Sequence, residues 1–224
     1  MAKDFNSQLV VDGYDEHIRK LIPGYELIHQ QIQSILKLHL QENAHVLIIG
    51  CGTGYELNYL LAAHPNCTFT VTELSENMLN QARQNVQATG QAYRVNFVLG
   101  SHTDFEVPQA FDAVLCILVT HFIEQDAKPL FLAKVFKLLK PQGIFLSFDL
   151  MLSQSSVELE ILPQFCQAQG LTKHQANKMM QRLADDFELI SQSDYQTLLT
   201  KIGFEHIYCF SQIFSYAAYW AVKS

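Results

Sequence analysis

The sequence lacks any apolar run approaching the roughly 18 residues that a bilayer-spanning helix needs. Its first stretch, MAKDFNSQLVVDGYDEHIRK, carries charges where a secretory leader would hold its apolar segment. Both absences lead us to expect a cytoplasmic protein with no membrane partner. Basic residues are also scarce: 15 Lys+Arg stand against 22 Asp+Glu, a formal net charge of −7. A broad basic face is thereby excluded, and no stable nucleic-acid complex is expected. Charged residues make up only 17% of the chain and hydrophobic ones 49%, which excludes a disordered chain. The cysteines (Cys51, Cys67, Cys116, Cys166 and Cys209) are odd in number and form no CxxC pair, arguing against a disulfide framework. The nine histidines show no HxxxH or HExxH spacing, so no metal is expected. No repeat, low-complexity tract or linker appears. A single domain over 1–224 is the simplest reading.

What the chain does have is alternation. Strand-like runs occur at HVLIIG (45–50), CTFTVTE (67–73), YRVNFVLG (93–100), FDAVLCI (111–117) and GIFLSFDL (143–150). Helical patterns occupy about 54–63, 75–88 and 125–139, the last stopping before Pro141. Strands alternating with helices predict parallel βαβ units in a doubly wound α/β sheet. The unbroken apolarity of VLII, AVLCI and IFLSF suits strands covered on both faces. Two regions depart from this rhythm. Residues 14–40 predict N-terminal helices broken at Pro23-Gly24, with Ile22, Leu27, Ile28, Ile32, Ile35, Leu36 and Leu40 near helical spacing. Residues 153–190 predict a helical insertion. After it, a helix near 194–202 leads to GFEHIYCFSQIFSYAAYWAVKS, which has room only for an antiparallel hairpin.

The segment GCGTG places Gly50, Gly52 and Gly54 where the first strand turns into the first helix. Glycines there permit a tight turn and a close approach of ligand to main chain, and the helix N-terminus offers free N–H groups. The second strand ends at Thr72-Glu73, roughly 20 residues on, where a carboxylate can accept both hydroxyls of a ribose. Glu73 has a second reading, as an acid favoured by the dipole of the helix beginning near Ser75. The nucleoside could belong to a dinucleotide or to S-adenosylmethionine. The third glycine comes one residue early for a dinucleotide loop, and no P-loop lysine follows.

On these motifs the sequence resembles the class I S-adenosylmethionine-dependent methyltransferases. GCGTG resembles their first motif, TVTELSENML their acidic second strand, FDAVLCILVTHFI their fourth-strand motif, and LLKPQGIFL the lead-in to their fifth strand. The resemblance implies a Rossmann-like class I methyltransferase fold: a seven-stranded, mostly parallel sheet with a reversed C-terminal strand, plus the N-terminal helices and the insertion. It also implies S-adenosylmethionine as cofactor. IPGYELI and LLTKIGFEHIYCFSQIFSYAAYWAVK are similar to the carboxy-S-adenosylmethionine synthase group of tRNA wobble-uridine modification. That group makes a carboxylated cofactor from S-adenosylmethionine and prephenate, and the likeness implies a homodimer. Carried over by position, Tyr25, the Gly50-Cys51-Gly52 turn, Gly54, Glu73-Leu74, Met78, Ser101-His102 and Cys116 would surround the cofactor. This chain departs from the pattern at four positions. Cys116 stands for the group's asparagine, Met180 for its carboxylate-binding arginine, Ile48 for the wider family's acid before the first glycine, and Ser101 for its acid after strand three.

Methyl transfer asks for alignment, dryness and sometimes a base. His121, just after the fourth strand, stands at the carboxyl end of the sheet, where ligands bind in open α/β folds. It is the candidate catalytic base, with a structural helix-capping role as the other reading. Tyr14 and His17 could reach the site as a lid or form a solvated face. Met179, Met180, Leu183 and Phe187 could be core or could roof a pocket. The function expected is that of a methyltransferase acting on a small molecule, with a carboxylated-cofactor synthase or a non-catalytic cofactor-binding protein as the alternatives.

Overall fold

Valine- and isoleucine-rich segments form the centre of the sheet, as their unbroken apolarity demands. The computed structural model describes residues 7–105, 110–153 and 155–224; the first six residues, part of the leader reading, and residue 154 of the insertion lie outside the described residues. Helices α1 (Gln8–Asp12), α2 (Tyr14–Leu21) and α3 (Tyr25–His39) precede the sheet. The alternating core follows as β1 (His45–Ile49), α4 (Tyr55–Ala63), β2 (Thr68–Glu73), α5 (Glu76–Ala88), β3 (Val95–Leu99), β4 (Phe111–Ile117), α6 (Lys128–Leu138) and β5 (Leu139–Leu150). The insertion forms α7 (Ser156–Ala168) and α8 (Lys173–Asp185), and α9 (Gln192–Ile202) leads into the hairpin of β6 (Phe204–Ile213) and β7 (Tyr216–Lys223).

The strands lie in the order β3-β2-β1-β4-β5-β7-β6. β7 runs antiparallel to both β5 and β6, while the other pairings are parallel. The chain reverses direction across the sheet between β1 and β4, the switch point that leaves a crevice at the carboxyl ends of those strands. Successive strand residues serve opposite layers. Val46, Ile48, Leu115, Leu146 and Phe148 pack under α3, α4, α5 and the insertion. Leu47, Ile49, Val114, Cys116 and Phe145 pack under α6 and α9.

The boundaries differ from expectation in three places. α6 begins at Lys128, with Pro129 in its first turn, where a proline costs no hydrogen bond. β3 begins only at Val95, because Ala92–Arg94 form a 3₁₀ turn. There the buried Arg94 guanidinium donates to the carbonyls of Leu61, His64 and Cys67 at 2.6, 2.8 and 2.9 Å. β5 starts at Leu139, which pairs with Phe111 before a register shift brings Ala113 opposite Ile144.

Candidate active site

The glycine loop is fixed from the second strand. Gly50 and Cys51 donate their N–H groups to the Thr72 carbonyl at 2.9 and 3.0 Å. Glu73 completes the hold: its Oε2 accepts from the Gly52 N–H, and its Oε1 from the Leu74 and Ser75 N–H groups, each at 2.9 Å. The acid expected to meet a ribose thus also holds the loop, and both readings of Glu73 describe the same carboxylate. All three loop glycines have positive φ, at 67°, 52° and 80°, but they face different surroundings. A Cβ on Gly50 would stand 2.6 Å from Val119 Cγ2, and one on Gly54 would stand 3.0 Å from Ala82 Cβ. A Cβ on Gly52 would meet only Tyr14 Cε1, at 3.9 Å. Gly50 and Gly54 are glycines for packing. Gly52 is the place where a ligand can lie against the main chain.

Helix α2 closes over this loop. Thr53 Oγ1 donates to Asp15 Oδ1 at 2.6 Å, which latches the helix to the turn. Beneath it lies Glu56, in the first turn of α4 and only 6% exposed. Burial, with help from the charges of Asp15 and Glu73, pushes its carboxyl up to about 7. Tyr25, at the start of α3, is buried with its ring 4.5 Å from His29 and 5.3 Å from Tyr55, and burial followed by the charge of Glu56 holds its phenol protonated.

Beside the loop is a cavity of about 460 Å³, roofed by α8 and walled by α2 and the ends of β4 and β5. Its lining is largely apolar, with Ile18, Leu118, Leu150 and Phe187 among the residues, a composition typical of small-molecule sites. His121 lines it, beside the ends of β4 and β5. The ring Nδ1 lies 2.8 Å from Asp149 Oδ1, and since a carboxylate can only accept, Nδ1 carries the proton. Nε2 is left as the nitrogen able to accept one. Asp149 is fully buried on β5; it also accepts from Thr120 Oγ1 at 2.7 Å and from the His121 N–H at 3.4 Å. Rings of Phe122 and Phe187, 4.4 and 5.0 Å away, fix the imidazole plane. Leu118, at the exit of β4, takes φ 59°, a left-handed conformation that a leucine adopts only under constraint.

A match to known proteins covers this region: residues 46–143 fit the family model of a methyltransferase domain. The carboxy-S-adenosyl-L-methionine synthase of Desulfotalea psychrophila is 24% identical over 226 residues, covering 98% of this chain and 91% of that one. The chain has the class I methyltransferase fold, and its central part matches a methyltransferase domain. Two solved structures share that fold. A phosphoethanolamine N-methyltransferase 2 of Haemonchus contortus, in complex with phosphomonomethylethanolamine and S-adenosylhomocysteine, gives a TM-score of 0.71 at 16% identity over 99% of this chain and 61% of that one. The 1,6-didemethyltoxoflavin-N1-methyltransferase of Burkholderia thailandensis, with its namesake ligand and S-adenosylhomocysteine bound, gives 0.62 at 21% identity over 88% and 78%. The cofactor is S-adenosylmethionine, and the open face of Gly52 together with Glu73 fits it.

Not every residue expected at the methyltransferase cofactor has its side chain free to reach one. Leu74, 77% exposed beside Glu73, offers an apolar surface. Met78 is buried, and its N–H is capped by Ser75 Oγ. Ser101 uses its hydroxyl and N–H in a capping box with Asp104, so its polar groups serve the turn. His102 has its ring fully buried, with Nε2 3.2 Å from the Phe131 carbonyl, and burial lowers its pKa to about 4. Only its main chain is left for a ligand. Strand alternation turns the Cys116 side chain into the α6–α9 layer. The Cys51 thiol is buried in the loop, and burial, then Glu73 and Glu56, push it well up. In the insertion, Met179, Leu183, Phe187 and Arg182 line the cavity, whereas Met180 packs against the core. On α8 the cation that lines the cavity two residues beyond Met180 is Arg182. Arg182 Nε is paired with Asp186 Oδ2 at 2.6 Å, and Lys178 lies one turn before it. Tyr14 and His17 also line the cavity, which fits the lid reading. Asp149, Glu56 and Leu118 were missed from the sequence.

Proposed function

We propose that this protein transfers a methyl group from S-adenosylmethionine to a small, largely apolar acceptor bearing an acidic group, with His121 as general base. The observation that carries the reading is the 2.8 Å contact of His121 Nδ1 with Asp149 in the cavity wall. Bound S-adenosylmethionine would supply an activated methyl on a sulfonium, a donor that requires in-line approach and exclusion of water. Glu73, Leu74 and the main chain at Gly52 would hold its nucleoside. Asp149 keeps the proton on Nδ1, so Nε2 can take the proton of an acceptor hydroxyl as it attacks, and the buried carboxylate stabilises the imidazolium so formed. The apolar wall excludes water, and Lys178 and Arg182 favour an anionic acceptor. A purely cofactor-binding role would leave the dyad without a task.

One observation favours a second reading, the carboxylated-cofactor synthase. Arg182 offers a cation at the cavity, the group that an added carboxylate requires. The discriminating experiment incubates the protein with S-adenosylmethionine bearing a labelled methyl, with prephenate and separately with a fractionated metabolite extract. Methyl transfer predicts S-adenosylhomocysteine and label in a small acidic product. A cofactor heavier by one carboxyl group, formed with prephenate, would replace this proposal with the synthase reading.

A further inference from the structure

We propose that Glu56 receives the methionyl ammonium of S-adenosylmethionine. At the position where the wider family's acid is expected, Ile48 is 1% exposed within the core and offers no acceptor. The ammonium of a cofactor laid on Gly52 still needs a counter-charge, since a buried unpaired cation is strongly disfavoured.

Three acids surround the loop, and two are already engaged. Asp15 holds the Thr53 hydroxyl and Glu73 holds three main-chain N–H groups. Glu56 differs: among the described residues no other side chain is seen to hydrogen-bond its carboxylate, although the residue is buried. Its neighbours locate it at the cofactor. After burial, its charge is the next cause raising the phenols of Tyr14 and Tyr25, and Tyr14 is the side chain that faces the bare Gly52. Helix geometry agrees, because Glu56 stands in the first turn of the helix that the glycine loop opens. A buried carboxyl facing Asp15 and Glu73 is destabilised as an anion, and an arriving ammonium removes that penalty.

The test compares two ligands that differ at the group in question. S-adenosylhomocysteine carries the amino-acid ammonium, and 5′-methylthioadenosine keeps the nucleoside and thioether but lacks it. Calorimetry at pH 8 on wild type and Glu56→Gln is expected to show at least a tenfold loss of affinity for S-adenosylhomocysteine. The affinity for 5′-methylthioadenosine should change by less than twofold. Glutamine has nearly the shape of the protonated acid, and thermal melting checks that the variant folds. Unchanged S-adenosylhomocysteine binding in Glu56→Gln overturns the proposal, as does an equal loss for both ligands, which would signal a damaged loop. If wild type binds neither ligand, the assignment of the cofactor falls, and Glu56 with it.

Discussion

The three loop glycines make separable demands, and alanine at each separates them. All three have left-handed φ, so each Gly→Ala change costs about 1–2 kcal/mol of backbone strain. Gly50→Ala adds a clash with the stiff, β-branched Val119 at 2.6 Å, and Gly54→Ala presses on Ala82 Cβ at 3.0 Å and Cα at 3.3 Å. Overpacking of that kind costs roughly another 1–3 kcal/mol. At about 2–4 °C per kcal/mol for a chain of this size, Gly52→Ala should melt about 2–8 °C below wild type, and the other two should fall further. Cofactor affinity should follow the opposite order. The Gly52 Cβ points at nothing closer than Tyr14, so its methyl enters the space where the ligand lies. Gly52→Ala should therefore lose tenfold or more in S-adenosylhomocysteine affinity, and Gly52→Val should lose binding while staying folded. Melting curves and titration calorimetry on the same samples make the comparison. Wild-type affinity in Gly52→Val, or the deepest melting loss at Gly52, would refute the assignment of this glycine to the ligand.

Glu73→Ala should weaken cofactor binding by about 1.5–3 kcal/mol, the scale of a charged hydrogen bond lost; calorimetry returning the wild-type constant would remove the ribose role. Asp149→Asn should slow the methyl-transfer step by roughly 10²–10⁴ while leaving cofactor affinity unchanged, because the aspartate meets Thr120 and His121 and not the loop; single-turnover kinetics beside calorimetry tests this, and an equal rise in cofactor Kd would count against it. Glu56→Gln should stabilise the free protein at pH 8 by up to about 3 kcal/mol, with little gain at pH 4. The sign follows from a folded pKa raised from 4.5 to about 7 by burial, Asp15 and Glu73: the native state binds the extra proton between those values, so wild-type stability falls as pH rises through that window. Denaturant melts at the two pH values giving equal differences would contradict it. We also propose a homodimer formed through α7, whose Val157, Leu159 and Ile161 are 56%, 42% and 40% exposed, whereas the Ile28, Ile32 and Leu36 stripe of α3 is buried against this chain's own sheet; light scattering at micromolar concentration giving the monomer mass would reject it.

The strand segments were legible because a parallel strand covered on both faces must be apolar throughout, and no other structure asks that of VLII or AVLCI. The glycine loop was legible for a related reason: positive φ at 50, 52 and 54 leaves little choice of residue. Spacing could not say which of those glycines faces a ligand, since that depends on Val119, Ala82 and Tyr14, brought together from distant parts of the chain. The same limit applies to the insertion. Counting along it reached Met180, yet which face of α8 looks inward depends on its packing against α7, and it is Arg182 that lines the cavity.

The polar residues missed from the sequence share a different cause. Asp149 ends an apolar strand in SFDL, and Glu56 follows a glycine loop in GYEL, both places where an acid has an ordinary reading: a strand end meeting solvent, or a helix first turn meeting the dipole. Only burial exposes the anomaly. A fully enclosed carboxylate must find donors, and Asp149 finds them in Thr120 and His121, some 28 residues earlier in the chain. The signal available beforehand was the charge itself, since a parallel strand covered on both faces has no solvent for its aspartate. A histidine placed after the neighbouring strand could have been paired with it on that ground alone. Glu56 carries the converse lesson. Among the described residues its carboxylate meets no side-chain donor, and the proposed ammonium of the cofactor would supply the missing positive partner.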